Sequence, residues 1–491
     1  MPELPDALPD ALLRALTVGQ AAMETSQWAE AIGAFAEAQA LAPTDLHIAL
    51  ALANAHRLGG DALGARRTLL AAARQRPSTD AAREYELGAA LLDAGAPREA
   101  AACFTRVVRL TPGDPAPLGA LAGAKRSIGE PEAAWAFIQQ ALALAPAHPA
   151  FLFTAAQIRH DLGDLEGARH WIGRADAVRP NHAATQVQRA YTSLLAGSSH
   201  KGWTHFEARP LPVPDTRATP WHGQSLEGAS LLVTAEQGVG DQFQFARFIG
   251  ALEAYRPGRV VVECHADAVS LFAASGFDAV ARGQAPTVET DWHVPMMSLP
   301  YHLHTDGAVL GDRVPYLRAP RDQPAMLPPG RREGVRRLGL VWAGNPAFSG
   351  RVTRDLDAAY LADIAAIPDV EWIALQHGPS GDDVDRVPEG AITRVPLSTS
   401  WAVTAAMLGE LDGLVTTDTG IAHLAGALGI RTWVMLQHVP DWRWGLHGTT
   451  SPWYPSLQLL RQPRPRDWGS VVETLRDSLR DALHDAPGGL S

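Results

Sequence analysis

A helical repeat solenoid followed by an α/β module of two doubly wound, mostly parallel halves is the fold class this sequence predicts. Two features predict the solenoid: before Pro210, prolines close successive units at Pro43, Pro77, Pro112, Pro146 and Pro180, with spacings of 34, 35, 34 and 34 residues, and small and large apolar residues recur at fixed offsets from each proline. A third feature predicts the α/β module. After residue 228, strand-like runs alternate with helical ones, and two proline-rich stretches, at 209–228 and 319–330, separate the parts.

Counting back from each proline, one offset carries Ala31, Ala65, Ala100, Ala134 and Ala168, and the next carries Phe35, Leu69, Phe104, Ile138 and Ile172. Small alanines let the two helices of a hairpin approach, the larger residue four positions on fills the gap to the neighbour, and proline stops the second helix. The pattern resembles the tetratricopeptide repeat (TPR), with Gly19 and Gly88 matching its small position in the first helix. Residues 1–208 therefore read as about five repeats, with a partial capping unit running through Gly202, Phe206 and Pro214. Such a solenoid offers a concave face suited to a peptide or protein segment; the alternative is a scaffold or oligomerisation arm with no substrate role.

The linker at 209–228 is rich in proline and polar residues. The first α/β half, 229–318, opens with a strand at 229–235 and a glycine-bearing loop, Glu236-Gln-Gly-Val-Gly-Asp241, then continues as a helix in QFQFARFI. Asp241 reads either as a carboxylate favoured by the helix dipole or as a general base, with Glu236 as the competing carboxylate. Nothing in the flank QFQFARF supplies Asp241 with an obvious structural partner. Further strands are expected at 259–265 and 277–281, with a helix at 267–274. The loop does not form G-x-G-x-x-G, so a dinucleotide-binding fingerprint is not indicated.

A hinge at 319–335 leads into the second half, 336–491. Strands are expected at 337–343, ending at Gly344-Asn345-Pro346, and at 371–376, ending in Gln376 before His377-Gly378-Pro379. Helices at 357–366 and 399–411 intervene. The stretch VTTDTGIAHLAGALG at 415–429 then turns a strand sharply into a helix ended by Gly429. A helix start offers unpaired N–H groups and partial positive charge, so Asp418-Thr419-Gly420, with His423 one turn on, fits the phosphates of an anionic ligand. The competing reading is an ordinary turn in which Asp418 or Thr419 caps and His423 is solvated or packed. Ligands of an open α/β sheet bind at the carboxyl ends of its strands, where Asn345, His377 and Asp418 lie. Arg351 and Arg354 follow Asn345 in a polar loop and are either phosphate ligands or solvated. The aromatics of DWRW and SPWYP suit stacking on a base or sugar, or core packing.

The 491 residues suffice for about three units of domain size. With 42 basic and 53 acidic residues the net charge is −11, which argues against a general nucleic-acid binder or a polybasic membrane anchor. Cys103 and Cys264, far apart, make neither a disulfide framework nor a metal site. The N-terminus lacks a basic start with an apolar core, and no apolar run approaches about 18 residues, so no transmembrane segment is expected and a cytoplasmic setting fits.

Together, EQGVGDQFQFARF, GLVWAGNP, DTGIAHLAGALG, PDWRW, SPWYP and RQPRP resemble the bacterial TPR glycosyltransferase proteins, related to the heptosyltransferase-type (glycosyltransferase family 9) enzymes of GT-B fold. The resemblance covers nearly the whole chain. It implies a TPR solenoid joined to a GT-B module of two Rossmann-like domains, the first half facing the acceptor and the second the nucleotide-sugar. It implies Asp241 as catalytic base, with Glu236 as the alternative. Asn345, Arg354, Gln376, Asp418, Thr419, Gly420 and His423 would form the donor site, with no metal and no cofactor beyond the nucleotide-sugar co-substrate. The chain departs from the pattern in having no lysine near Asn345. Similar repeat–transferase fusions modify flagellin, which makes a protein acceptor on the concave face, flagellin among the candidates, the implied partner. Two other classes stay open: a GT-B/TPR adaptor without catalysis, and a nucleotide-sugar-processing enzyme acting on small molecules.

Overall fold

The computed structural model describes residues 10–75, 79–211, 216–284, 289–304, 314–331, 333–345 and 351–484. Pro77, Pro214, Pro346 and the side chain of Arg351 lie outside the described set. The chain divides into two compact units, Met1–Pro180 and Asn181–Ser491.

The first unit is a TPR-like array of helix pairs: α1 (Asp10–Glu24) with α2 (Trp28–Leu41), α3 (Leu46–Leu58) with α4 (Ala62–Ala73), α5 (Ala81–Asp93) with α6 (Pro97–Leu110), α7 (Pro115–Ser127) with α8 (Pro131–Leu144), and α9 (Pro149–Asp161) with α10 (Leu165–Val178). Local chemistry sets the boundaries. Asp45, Asp80 and Asp114 cap the first helix of a pair, and Asp61 and Asp164 cap the second, each carboxylate accepting backbone N–H groups of the first turn. The recurring alanines and their larger partners are all at most 4% exposed, as the packing reading requires. The glycines of the first helix have a steric cause: a Cβ at Gly19 would sit 2.7 Å from Phe35, and one at Gly88 2.8 Å from Phe104.

A second ladder, not read from the sequence, marks the turn inside each pair. Gly60, Gly95, Gly129, Gly163 and Gly197 all have φ between 71° and 82°, and Ser26 fills the same place in the first pair at φ 57°. The left-handed backbone there is what glycine tolerates at little steric cost. Gly197 identifies a sixth pair, α11 (Ala183–Leu195) with α12 (Ser199–Phe206), and this pair falls within the second compact unit.

The rest of the second unit holds two parallel sheets. Among the described residues, β1 (Thr219–Pro220), β2 (Ser230–Thr234), β3 (Arg259–Cys264), β4 (Asp278–Ala281) and β5 (Trp292–Pro295) form the first, in the order β1-β5-β2-β3-β4. Helices α13 (Val239–Phe245), α14 (Val269–Ala274) and α15 (Leu299–His302) accompany it. The second sheet contains β6 (Arg336–Val341), β7 (Val370–Ala374), β8 (Ile392–Arg394), β9 (Gly413–Thr417), β10 (Thr432–Leu436) and β11 (Leu457–Arg461), in the order β11-β10-β9-β6-β7-β8. Its helices are α16 (Arg351–Arg354), α17 (Leu361–Ala365), α18 (Trp401–Gly409), α19 (Gly420–Leu428) and α20 (Trp468–His484). All of these strand pairs are parallel. The strand order reverses direction between β2 and β5 in one sheet and between β6 and β9 in the other, and such switch points open a crevice at the strands' carboxyl ends. No helix among the described residues is long and apolar enough to cross a membrane.

Candidate functional site

At the first switch point, β2 runs out at Thr234 and α13 begins at Val239, three residues earlier in the glycine loop than the expected helix. Asp241 is thereby the third residue of the helix, where its carboxylate accepts the Gly238 N–H at 3.0 Å. Its principal partner comes from the far half. Arg443 donates from Nη2 to Asp241 at 2.5 Å, across 202 residues of chain, which corrects the expectation that Asp241 lacks a structural partner. Arg443 lies in the short turn Trp442–Trp444 after β10, and donates also from Nη1 to Asp441 at 2.8 Å and from Nε to Gln244 Oε1 at 2.6 Å.

Glu236 belongs to a different structure. Its carboxylate receives both Nε and Nη2 of Arg209, at 2.8 and 2.7 Å, and the Met297 N–H at 2.9 Å. With both side chains 3% exposed, Glu236 is a buried anchor between the segment after α12 and the two loops of the switch point, its carboxylate taken up by Arg209 and the Met297 N–H.

At the second switch point, α19 starts at Gly420 directly after β9 and ends at Gly429, whose φ is 77°. The turn is not capped as expected. Thr419 is the N-cap residue but makes no side-chain cap, its hydroxyl bonding Thr416 at 3.0 Å, while Asp418 lies 3.6 Å from Arg354. Arg354 is therefore an ion-paired, 21% exposed side chain rather than a solvated one. His423 is buried, stacks on Trp444 at 5.2 Å between ring centroids, and its Nδ1 is 3.0 Å from the Tyr454 hydroxyl. Gln376 is buried, its oxygen accepting from the Trp342 and Ala343 N–H groups and its nitrogen donating to the carbonyls of Ala343 and His377. Those four bonds exhaust its capacity, so Gln376 shapes the loop after β6 and has none left for a donor. Asn345 ends the described part of that loop.

The two helix starts abut. A Cβ on Gly240 would lie 2.9 Å from Gly420 Cα and 3.3 Å from His423, so only glycine allows α13 and α19 to approach this closely. The site thus gathers Asp241, Asp418, Asp441, Arg354, Arg443 and His423. Burial raises the Asp418 carboxyl above its ordinary range against the opposing pull of Arg354, and likewise raises Asp241 against Arg443 and the Gly238 N–H. Burial, reinforced by Arg443, Arg247 and Arg354, holds the His423 imidazole well below its usual pKa. The His423 ring is therefore neutral near neutral pH and serves as a hydrogen-bonding group. Burial would lower Arg443, but Asp441 and Asp241 more than offset it and the guanidinium stays charged.

Several site residues carried no role in the sequence reading. Arg247 donates to the Trp453 carbonyl at 2.8 Å and the Tyr316 hydroxyl at 3.2 Å, and lies 4.7 Å from the centre of the Tyr454 ring. From the sixth helix pair, Trp203 meets Trp442 edge-on at 5.3 Å, and Tyr191 feels the charges of Asp441, Arg443 and Asp241. The available signal was polar residues, Gln244 and Arg247, inside the otherwise apolar run QFQFARF, and an arginine between two tryptophans in PDWRW. An open cavity of about 430 Å³ lies elsewhere, lined by Gly429, Thr432, Thr450 and Leu457 at the amino-terminal ends of β10 and β11, and shares none of these groups.

No family model matches the chain. Protein FlbA of Caulobacter vibrioides (strain ATCC 19089 / CIP 103742 / CB 15) is 24% identical over 340 residues, covering 61% of this chain and 55% of FlbA. The chain thus spans about half the length of this curated relative. Among solved structures, MamA is 16% identical with a TM-score of 0.30, covering 35% of this chain and 93% of MamA. YrrB, a TPR protein with an unusual peptide-binding site, is 16% identical with a TM-score of 0.29 over 35% of this chain and 88% of YrrB. A tetratricopeptide repeat protein from Parabacteroides merdae ATCC 43184 is 10% identical with a TM-score of 0.35 over 40% of this chain and 78% of its own. The TPR-like character of this chain rests on its own helix pairs, their proline period and their left-handed turn ladder.

Proposed function

We propose that the chain is a glycosyltransferase, moving a sugar from a nucleotide-activated donor to a protein acceptor held by the helical repeats, with flagellin as the acceptor to test first. The observation that carries this reading is the abutment of two helix starts at the switch points of two parallel sheets, with one carboxylate in hydrogen-bonding range of the first start and an arginine beside the second. Asp241 takes the proton from the acceptor nucleophile, which bonds to the anomeric carbon as the bond from that carbon to the phosphate oxygen breaks. The electron pair leaves with the nucleotide, and the α19 N–H groups, Arg354 and a hydrogen bond from neutral His423 stabilise it. Asn345 and Asp418 line the donor side. The reaction as drawn needs no metal and no cofactor beyond the nucleotide-sugar.

One observation favours a second reading, an adaptor that binds without turnover: the Asp241 carboxylate is already engaged by Arg443. Co-expression with flagellin, followed by intact-protein mass spectrometry, separates the two. A mass increment of one sugar that disappears with Asp241→Asn supports transfer; nucleotide-sugar binding with no increment on any acceptor supports the adaptor. In the same assay, a chain starting after Pro180 retains the sixth helix pair and should bind donor while losing the protein acceptor.

A further inference from the structure

Arg443 is engaged by three side chains of the site, yet takes no part in the proposed transfer step. Among the described residues its guanidinium is held by side chains, Asp241, Asp441 and Gln244, with no backbone carbonyl bonded to it. Asp441 is 36% exposed, so the cluster meets solvent beside this guanidinium. Building on the donor reading, we propose that Arg443 is a ligand for the donor's phosphates, kept in reserve on Asp241 and Asp441, and that an arriving nucleoside diphosphate draws it off Asp241 and so releases the base.

Charge balance supports the exchange. Asp241, Asp418 and Asp441 carry three negative charges against two positive ones on Arg354 and Arg443, leaving one net negative charge with His423 neutral. A diphosphate entering such a site needs a cation that can change partners, and the planar fork of arginine fits phosphate oxygens as well as it fits carboxylates. Unsatisfied buried donors supply the second support: the Gln244 amide nitrogen, the Thr417 hydroxyl and the Trp442 indole N–H have no hydrogen-bond partner among the described residues. Gln244 touches Arg443 and Thr417 precedes Asp418, so both lie where additional acceptor oxygens would arrive. Once Arg443 leaves, Asp241 keeps the Gly238 N–H while still facing Asp441 and Glu236, with Tyr191 on α11 also within reach of its charge. Its proton affinity rises, which moves a carboxylate toward the range of an effective base.

Calorimetric titration of the full chain with ADP, GDP, UDP and CMP, in two buffers of different ionisation enthalpy at about pH 6, tests this. Arg443→Lys keeps the charge but not the fork, and should weaken binding by about 10-fold; Arg443→Met should weaken it by up to about 100-fold. Asp241→Asn removes the competitor and should tighten binding several-fold and abolish the proton uptake expected of the wild type. Because Arg443→Met leaves buried carboxylates unpaired, the double variant Asp241→Asn/Arg443→Met serves as the folded control. Wild-type protein that binds none of the four nucleotides overturns the donor reading itself. Wild-type binding that is unchanged in both Arg443→Lys and the double variant, or Asp241→Asn binding no tighter than wild type, overturns the role of Arg443 and leaves the donor reading standing.

Discussion

The helical repeats and the α/β unit solve the same problem, bringing small residues close together, at opposite ranges in sequence. In the repeats, Gly88 makes room for Phe104 within one helix pair, and each alanine of the ladder lies near its own proline. In the α/β unit, Gly240 makes room for Gly420, and Arg443 reaches back 202 residues to Asp241 while Arg247 reaches forward 206 residues to Trp453. Repeat stability is a sum of near-neighbour terms, so a defect there stays local. A charged cluster assembled from distant loops fails as a unit, and the proposed chemistry would rest on that cluster.

The sharpest way to break this contrast is Asp241→Asn. Turnover should fall by about 10²–10⁴-fold, roughly 3–5 kcal/mol of barrier, while the melting temperature falls only slightly, since asparagine still accepts the Gly238 N–H and Arg443 keeps its ion pair with Asp441. A parallel loss of melting temperature would make Asp241 a structural residue, and full activity would return the base role to another group.

Buried ion pairs in the two regions give the next largest effect. Arg209→Ala strands the 3% exposed Glu236 and should destabilise the second unit by about 3–5 kcal/mol in urea unfolding. Arg106→Ala removes one partner of Glu84 in the repeats, and because Arg106 is 30% exposed, water reaches the vacated place and the cost should be about 1–2 kcal/mol. Equal costs would erase the distinction between the regions.

A smaller effect is expected from Gly88→Ala, whose new Cβ would press on the buried Phe104 ring. About 1–3 kcal/mol should be lost from the first unit, with nucleotide binding unchanged.

The smallest concerns pH. The His423 imidazole titrates well below its unfolded value, so the folded state favours the neutral ring and its contribution is complete above about pH 6.5. Below that the unfolded chain takes up the proton first, and stability of the second unit should fall with a slope approaching about 1.4 kcal/mol per pH unit for this group. Asp418 and Asp241, raised by burial, act in the opposite sense at lower pH. The comparison is therefore between wild type and His423→Gln from about pH 7 to 5, and identical slopes would show that His423 is not the group responsible.

Where a segment's structure depends on neighbours close in sequence, it was legible. The strand Gly413–Thr417, the helix start at Gly420 and the left-handed stop at Gly429 stand where the residues placed them. Elements lacking such signals were not read. The edge strands β8 and β11 and the strand β5 are held by pairing with distant segments rather than by turn residues of their own, and the terminal helix α20, though Asp467 caps its start, packs its Trp468, Val471 and Leu475 into the core of the second sheet. The start of α13 was placed too late because Val239-Gly240 reads as loop, and only the approach of α19 explains a helix beginning there.

The candidate site divides in the same way. Sequence by itself determined the repeat period, the parallel α/β alternation and the two turns that carry Asp241 and Asp418, because helix periodicity, proline and glycine act over a few residues. It kept Glu236 as an alternative to Asp241, since two carboxylates five residues apart have the same intrinsic chemistry. Tertiary structure separated them: Arg209 occupies Glu236 from 27 residues away and Arg443 meets Asp241 from 202. It also made His423 neutral and spent Gln376 on the backbone, because burial and partner choice depend on what the folded chain places nearby.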